Sequence, residues 1–123
     1  MDGPGRPFGE TLHEIFVWIQ TLGVWVTSRV GVVTVTAAYT VPANIFFVRA
    51  DVTAGGFSVT LPLAVGKDGR QISVMKIDAS GNTLTVIPTG SDTINASASV
   101  TTTTRFAKWI FISNGNNAWE VIS

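Results

Sequence analysis

Hydrophobic and polar positions divide the chain into two parts with different periods. From Phe8 to about Gly23, apolar residues recur at alternating spacings of three and four, which is the period of one face of a helix. From Val30 onward, short runs rich in β-branched residues alternate with turn signals at nearly even intervals, as strands do. The pattern therefore predicts one short N-terminal α-helix followed by an all-β region.

The β region holds about eight short runs, separated by clusters of Gly, Asn, Asp and Ser. We expect these runs to pair as short antiparallel strands of a small β-sandwich or β-prism-like knob. Asp68-Gly69 predicts one hairpin, and Phe106–Ile112 with Ala118–Ile122 predict a closing hairpin. The threonine run Ser99–Thr104 has little apolar surface, so we expect an edge or solvated strand there.

The predicted helix carries an apolar seam with the a/d spacing of a coiled coil, formed by Leu12, Ile15, Ile19, Leu22 and Val26. We expect this seam to hold copies of the chain together. Self-association through the seam alone would leave apolar residues of the other faces exposed, and we expect these to dock on another protein: Phe16, Trp18 and Trp25. The alternative is that the helix packs on its own β domain.

The predicted organisation has three segments. Residues 1–7 are rich in Gly and Pro and form a flexible arm, residues 8–27 form a helical anchor or trimerisation segment, and residues 30–123 form the β knob. The apolar run Ile15–Val26 is shorter than the roughly 20 apolar residues needed to span a bilayer, so we expect no membrane insertion.

Composition adds a reason to expect association. Only 13% of the 123 residues are charged, about half the usual share of roughly 25%, while 46% are hydrophobic. A short chain with so few charges is expected to bury surface against copies of itself or against partners. The net charge is +0, and the Lys and Arg residues form no cluster, which argues against a nucleic-acid partner.

Residues that could carry chemistry are scarce. The chain has no cysteine, which excludes disulfides, thiolate metal sites and cysteine nucleophiles. Its single histidine, His13, has Glu10 and Glu14 nearby but no second histidine to join it, so we expect neither a metal nor a cofactor.

The acidic residues of the β region are better explained by turns than by catalysis. Asp68 and Asp92 stand beside Gly or Ser, and Asp78 closes a strand just before a turn, positions where an Asp side chain bonds the local backbone. A pair of carboxylates could act in glycoside hydrolysis, but neither these nor Asp51 form an evident pair. We therefore expect a protein that is not an enzyme.

Four aromatic residues near the C-terminus allow two interpretations: Phe106, Trp109, Phe111 and Trp119. They lie in runs of strand alternation, which favours packing in the core. The alternative is an aromatic platform that binds a sugar.

Ordered turns and strands give the β region a recognisable pattern. The segments are "YTVPANIFFVRADVTAGGFSVTLP" from Tyr39, then "DGRQISVMKIDASGNTLTVIPTGSDTI" from Asp68, then "KWIFISNGNNAWEVIS" from Lys108. Their combination resembles a β module found in phage tail fibres, head fibres and other virion appendages. The resemblance covers about two-thirds of the chain.

The resemblance implies a structural protein of the virion. It would be a homotrimeric spike, head-fibre or capsid-decoration protein, anchored by its N-terminal helix to another virion protein of the capsid, the portal and neck, or the tail. The alternative is a tail-fibre or baseplate tip module that binds a host surface glycan or receptor.

Overall fold

Residues 31–122 are those that the computed structural model of the chain describes, and they form an all-β unit without a helix. In this range the strands, β1 to β10 in chain order, are Val32–Val35, Tyr39–Thr40, Phe47–Ala50, Phe57–Thr60, Gln71–Lys76, Leu84–Ile87, Thr93–Ile94, Val100–Thr102, Lys108–Ser113 and Ala118–Ile122. The prediction of an all-β region is confirmed. The predicted N-terminal helix lies outside the described residues.

The strands form two sheets, between which the chain crosses repeatedly. A six-stranded sheet has the order β1-β3-β5-β9-β10-β7, and a four-stranded sheet has the order β2-β4-β6-β8. From β1 to β6, each strand lies in the opposite sheet from the strand before it. The first half of the unit therefore winds as a flattened coil, and each turn of the coil stacks on the previous one.

This winding corrects the prediction of about eight antiparallel strands. Residues 31–122 contain ten strands, and the pairs β1–β3, β3–β5, β2–β4, β4–β6 and β7–β10 are parallel. Only β5–β9, β9–β10 and β6–β8 are antiparallel within this range. A turn signal shows where the chain changes direction, but not whether it returns within one sheet or crosses to the other.

The predicted hairpin at Asp68-Gly69 is wrong for the same reason. These residues lie in the connection from β4, in the four-stranded sheet, to β5, in the six-stranded sheet. Packed sheets lie about 10 Å apart, so this connection has to span the thickness of the unit. Gly69 has a φ of 81°, so the turn that the sequence indicates exists, but it leads out of the sheet.

The predicted closing hairpin is confirmed, and so is the edge position of the threonine run. β9 and β10 pair antiparallel, and the Asn114 Oδ1 atom accepts hydrogen bonds from the backbone N–H groups of Asn116, Asn117 and Ala118 at 2.8 to 3.1 Å. β8 lies at the edge of the four-stranded sheet, beside β6 only.

The inward side chains of both sheets form one core. Alternation along β5 buries Ile72, Val74 and Lys76, and Trp119 on β10 is the largest fully buried side chain. The other fully buried apolar residues are Val41, Val48, Ala50, Val52, Val59, Leu61, Ala64, Leu84, Val86, Ile94 and Phe111. A charged residue among them calls for an explanation, because an unpaired buried charge would be strongly unfavourable.

Candidate functional site

The buried charge of Lys76 is neutralised at the end of β5. Its Nζ atom lies 3.1 Å from Oδ2 of Asp78, and the side chains of the two residues are 0% and 6% exposed. The ammonium group also donates to the backbone carbonyls of Asp78, at 3.0 Å, and of Ser80. An ammonium group has three N–H donors, so every one of them has an acceptor here.

The Asp78 carboxylate is equally well satisfied. Its Oδ1 atom accepts from the backbone N–H of Val52 at 2.8 Å, and its Oδ2 atom accepts from the backbone N–H and the hydroxyl of Ser80. Burial acts to raise the pKa of Asp78, but the hydrogen bonds from Ser80, Val52 and Lys76 outweigh it and hold the pKa well below the ordinary value of 3.8. The carboxylate therefore stays ionised well below the pH at which a free Asp side chain is protonated.

This network should make the stability of the protein depend on pH in acid. The folded-state pKa of Asp78 is lowered, so its contribution to stability is complete above the unfolded value near 3.8 and is lost as the pH falls below it. We expect urea titrations between pH 7 and pH 2 to show the free energy of unfolding declining below about pH 4. The decline should be shallower in Asp78→Asn and unchanged in the exposed-turn control Asp68→Asn. Parallel acid profiles for Asp78→Asn and the wild type would contradict the assignment.

The turn after Asp78 is fastened to a second turn. Nδ2 of Asn82 donates to the backbone carbonyls of Val52 and Thr53, at 2.8 and 3.1 Å. Because Asp78 also accepts from the Val52 N–H, each of the turns at 51–54 and 78–82 donates hydrogen bonds to the other. Lys76, Asp78, Ser80 and Asn82 together fix this corner of the fold.

A loop on the same end of the sheet presents an aromatic side chain to solvent. The backbone N–H of Phe106 donates to the Lys76 carbonyl at 2.7 Å, and the Lys76 N–H donates to the Ala107 carbonyl at 3.1 Å. The Phe106 side chain is 55% exposed, and the Arg105 guanidinium lies 4.6 Å from the centre of its ring. We call Arg105 and Phe106 the aromatic tip.

The aromatic tip has an unfavourable backbone conformation. Phe106 has a φ of 66°, in the left-handed region that an aromatic residue seldom adopts. Strain of this kind is typical of ligand-binding positions, where the fold imposes it on a side chain. Because Arg105 donates from Nε to the Ile77 carbonyl at 3.2 Å, one face of the ring is held against the guanidinium.

Replacing Phe106 tests whether the backbone is strained. We expect Phe106→Gly to be more stable to urea than Phe106→Ala by about 1 kcal/mol, since glycine adopts positive φ without a steric cost and both variants lack the ring. Equal free energies of unfolding for the two variants would show that the position carries no strain.

The other predicted site residues have varied positions. The eight predicted interface and docking residues between Leu12 and Val26, together with His13, lie outside the described residues. Asp51 has a local role, because it accepts from the Thr53 N–H at 2.9 Å. The Asp92 carboxylate instead accepts from the Ala64 N–H at 2.9 Å, 28 residues away along the chain, so its bond is not to the local backbone as predicted. No sequence signal marked Phe106 as an exposed residue with positive φ.

Core packing accounts for the other three aromatic residues. Phe111 and Trp119 are fully buried, and Trp109 packs against the core with its ring centre 5.9 Å from that of Phe111. The interpretation of these three as core residues is confirmed, whereas Phe106 stands apart from them.

Residues 31–122 lack two kinds of functional feature. Among residues 31–122, no group of three or more His, Cys, Asp and Glu side chains stands close enough together to hold a metal ion. In the same range, the structure contains no helix long and apolar enough to cross a membrane.

Comparison with known proteins adds no assignment. No protein-family model matches the chain, and no curated protein matches it either. The function therefore has to be argued from the residues themselves.

Proposed function

We propose that this protein is a structural component of a bacteriophage particle: a homotrimeric spike, head-fibre or decoration protein anchored through its N-terminal segment. The observation that carries the proposal is the small two-sheet β unit at 31–122, whose internal charges are satisfied by a fixed network. The network fixes the fold of the unit, which suits a rigid knob. It also leaves neither its carboxylate nor its ammonium group available for chemistry.

Two features of the sequence support an assembly role. Only 13% of the residues are charged, which favours burial of surface in an assembly. The heptad spacing from Leu12 to Val26 comes directly before the β unit, where a trimerising anchor would be expected. The resemblance of the β segments to those of phage appendages indicates the particle as the place of assembly.

The proposal predicts the oligomeric state and its dependence on the seam. We expect native mass spectrometry of the full chain to give three chains per particle, and Leu22→Asp to shift the population toward monomer because a carboxylate cannot be buried in an apolar seam. The matched control is Gln20→Asp, at a polar position off the seam. A wild-type monomer, or a Leu22→Asp variant that associates like the control, would refute it.

The aromatic tip favours one second function, a tip module that binds a host surface glycan. A phenylalanine ring with one face held against a guanidinium can stack its other face on a sugar ring, and the guanidinium offers N–H donors to hydroxyl groups. We expect a glycan array to show binding by the wild type that Phe106→Gly loses. A wild type that binds no glycan, or a variant that binds as well as the wild type, would exclude this function.

A further inference from the structure

The outward face of the six-stranded sheet carries an in-register row that crosses β1, β3, β5, β9 and β10. Its members, which we call the outer row, are Val32, Phe47, Ser73, Ile110 and Ile122. The residues on either side of Ser73 are fully buried, so alternation turns Ser73 and its row outward. Ile122 is 55% exposed, and the other four are half-buried.

Two flanks of opposite charge run beside the outer row. One flank holds Thr34, Arg49, Met75 and Lys108, and the other holds Gln71, Ile112 and Glu120. Lys108 and Glu120 stand on neighbouring strands but about 13 Å apart along them, which exceeds the screening length of about 8 Å at physiological salt. The only ion pair between described residues is Lys76–Asp78. Within one chain, the charge of the basic flank is therefore not neutralised by the charge of the acidic flank.

We propose that the outer row is a contact seam between copies of this chain, three of which meet around an axis parallel to the row. This inference rests on the homotrimer of the proposed function and adds a second interface, in the β unit itself. At a strand spacing of about 4.8 Å, the row is about 19 Å long. Four of its five residues are apolar, and its flanks carry Arg49 and Lys108 on one side and Glu120 on the other, which fits three faces that converge on an axis.

Charge complementarity favours a copy of the same chain as the partner. Around a threefold axis, the basic flank of each copy meets the acidic flank of the next, and equivalent strands lie at the same height. Glu120 on β10 then lies one strand away from Lys108 on β9 of the neighbouring copy. A twofold face-to-face dimer with its axis along the strands reverses the strand order but sets like flanks against each other, so Glu120 does not meet Lys108. A twofold axis along the row would keep that pair, and the cross-linking yield separates it from the threefold arrangement. Either dimer would also bury both charged flanks in its centre, which is unfavourable.

Charge reversal in the full chain tests this arrangement. We expect Glu120→Lys to weaken the trimer at least about tenfold in sedimentation at physiological salt, since it sets like charges against each other, and Lys108→Glu in the same chain to restore it. Restoration by Arg49→Glu instead would overturn the threefold arrangement, because equivalent strands of the copies would then not lie at the same height. A trimer that Glu120→Lys leaves unchanged would overturn the seam.

Cross-linking gives an independent readout. The chain has no cysteine, so Ser73→Cys would introduce its sole thiol in the centre of the row. Facing sheets lie about 10 Å apart and a disulfide needs Cα atoms within about 7 Å, so a short bismaleimide is the suitable reagent. We expect cross-linked dimers from at most two of every three chains, because a threefold axis leaves one thiol without a partner.

The control is Thr85→Cys, on the outward face of the four-stranded sheet. It should give no cross-link. Cross-linking that proceeds to complete conversion, or equally at both positions, would overturn the threefold seam. A trimer by mass that cross-links at neither position would overturn the seam but leave the homotrimer standing, whereas a monomeric wild type would overturn both.

Discussion

Replacing Asp78 with alanine is expected to lower the free energy of unfolding by about 3–5 kcal/mol. The variant leaves the Lys76 ammonium group fully buried without its carboxylate, and it leaves the Val52 N–H without its acceptor. Domains of this size have total stabilities of about 5–15 kcal/mol, so the loss would remove a large part of the margin. Urea denaturation at pH 7, followed by tryptophan fluorescence, measures it.

Two further variants separate the charge from the hydrogen bonds. Lys76→Met removes the buried charge and keeps an unbranched side chain, while Asp78 retains its bonds from Val52 and Ser80, so we expect a smaller loss of about 1.5–3 kcal/mol. Adding Lys76→Met to Asp78→Ala should recover stability, because the uncompensated charge is gone. A double variant as unstable as Asp78→Ala would mean that the hydrogen bonds of Asp78, and not the buried charge, dominate.

Local pattern was sufficient for the strands but not for their partners. The Asn114 turn and the threonine edge strand followed from residue type and alternation alone, because short-range hydrogen bonds and side-chain size determine them. Which sheet a strand joins depends on contacts between distant residues. Val32 pairs with Phe47, and Phe47 pairs with Ser73, so successive turns of the coil differ greatly in length. The unequal turns leave no repeat in the sequence that could have revealed the coil.

In the candidate site, the sequence predicts the positions of single residues but not the ion pair between them. Alternation along β5 puts Lys76 on the same face as Ile72 and Val74. The turn position of Asp78 indicated a local backbone role, which its bond from the Ser80 N–H confirms. The ion pair between them needed the structure, since a charged residue in a strand is normally expected to face solvent. The positive φ of Phe106 arises just before the chain enters β9 beside β5, and no turn residue in the sequence indicates it.

Replacing Trp119 with alanine should have a comparable effect to the loss of Asp78. Trp119 is the largest fully buried side chain among the described residues, and its Nε1 atom donates to the Pro62 carbonyl at 3.0 Å. We expect Trp119→Ala to lower the free energy of unfolding by about 3–5 kcal/mol, through lost burial and the cavity left behind. Thermal and urea denaturation, followed by circular dichroism because the variant removes a fluorophore, measure the loss.

Trp119→Phe separates packing from hydrogen bonding at this position. Phenylalanine keeps most of the apolar contact but removes the donor to Pro62, so we expect it to recover most of the loss and to retain a deficit of about 1–3 kcal/mol for the unsatisfied carbonyl. The half-buried Trp109 provides the comparison, and Trp109→Ala should cost less than Trp119→Ala. If the two alanine variants were equally unstable, the centre of the core would not lie at Trp119. Trp119 is buried and Glu120 is exposed on the opposite face of β10, so Trp119→Phe should leave charge-reversal rescue at the outer row intact as long as β10 remains folded.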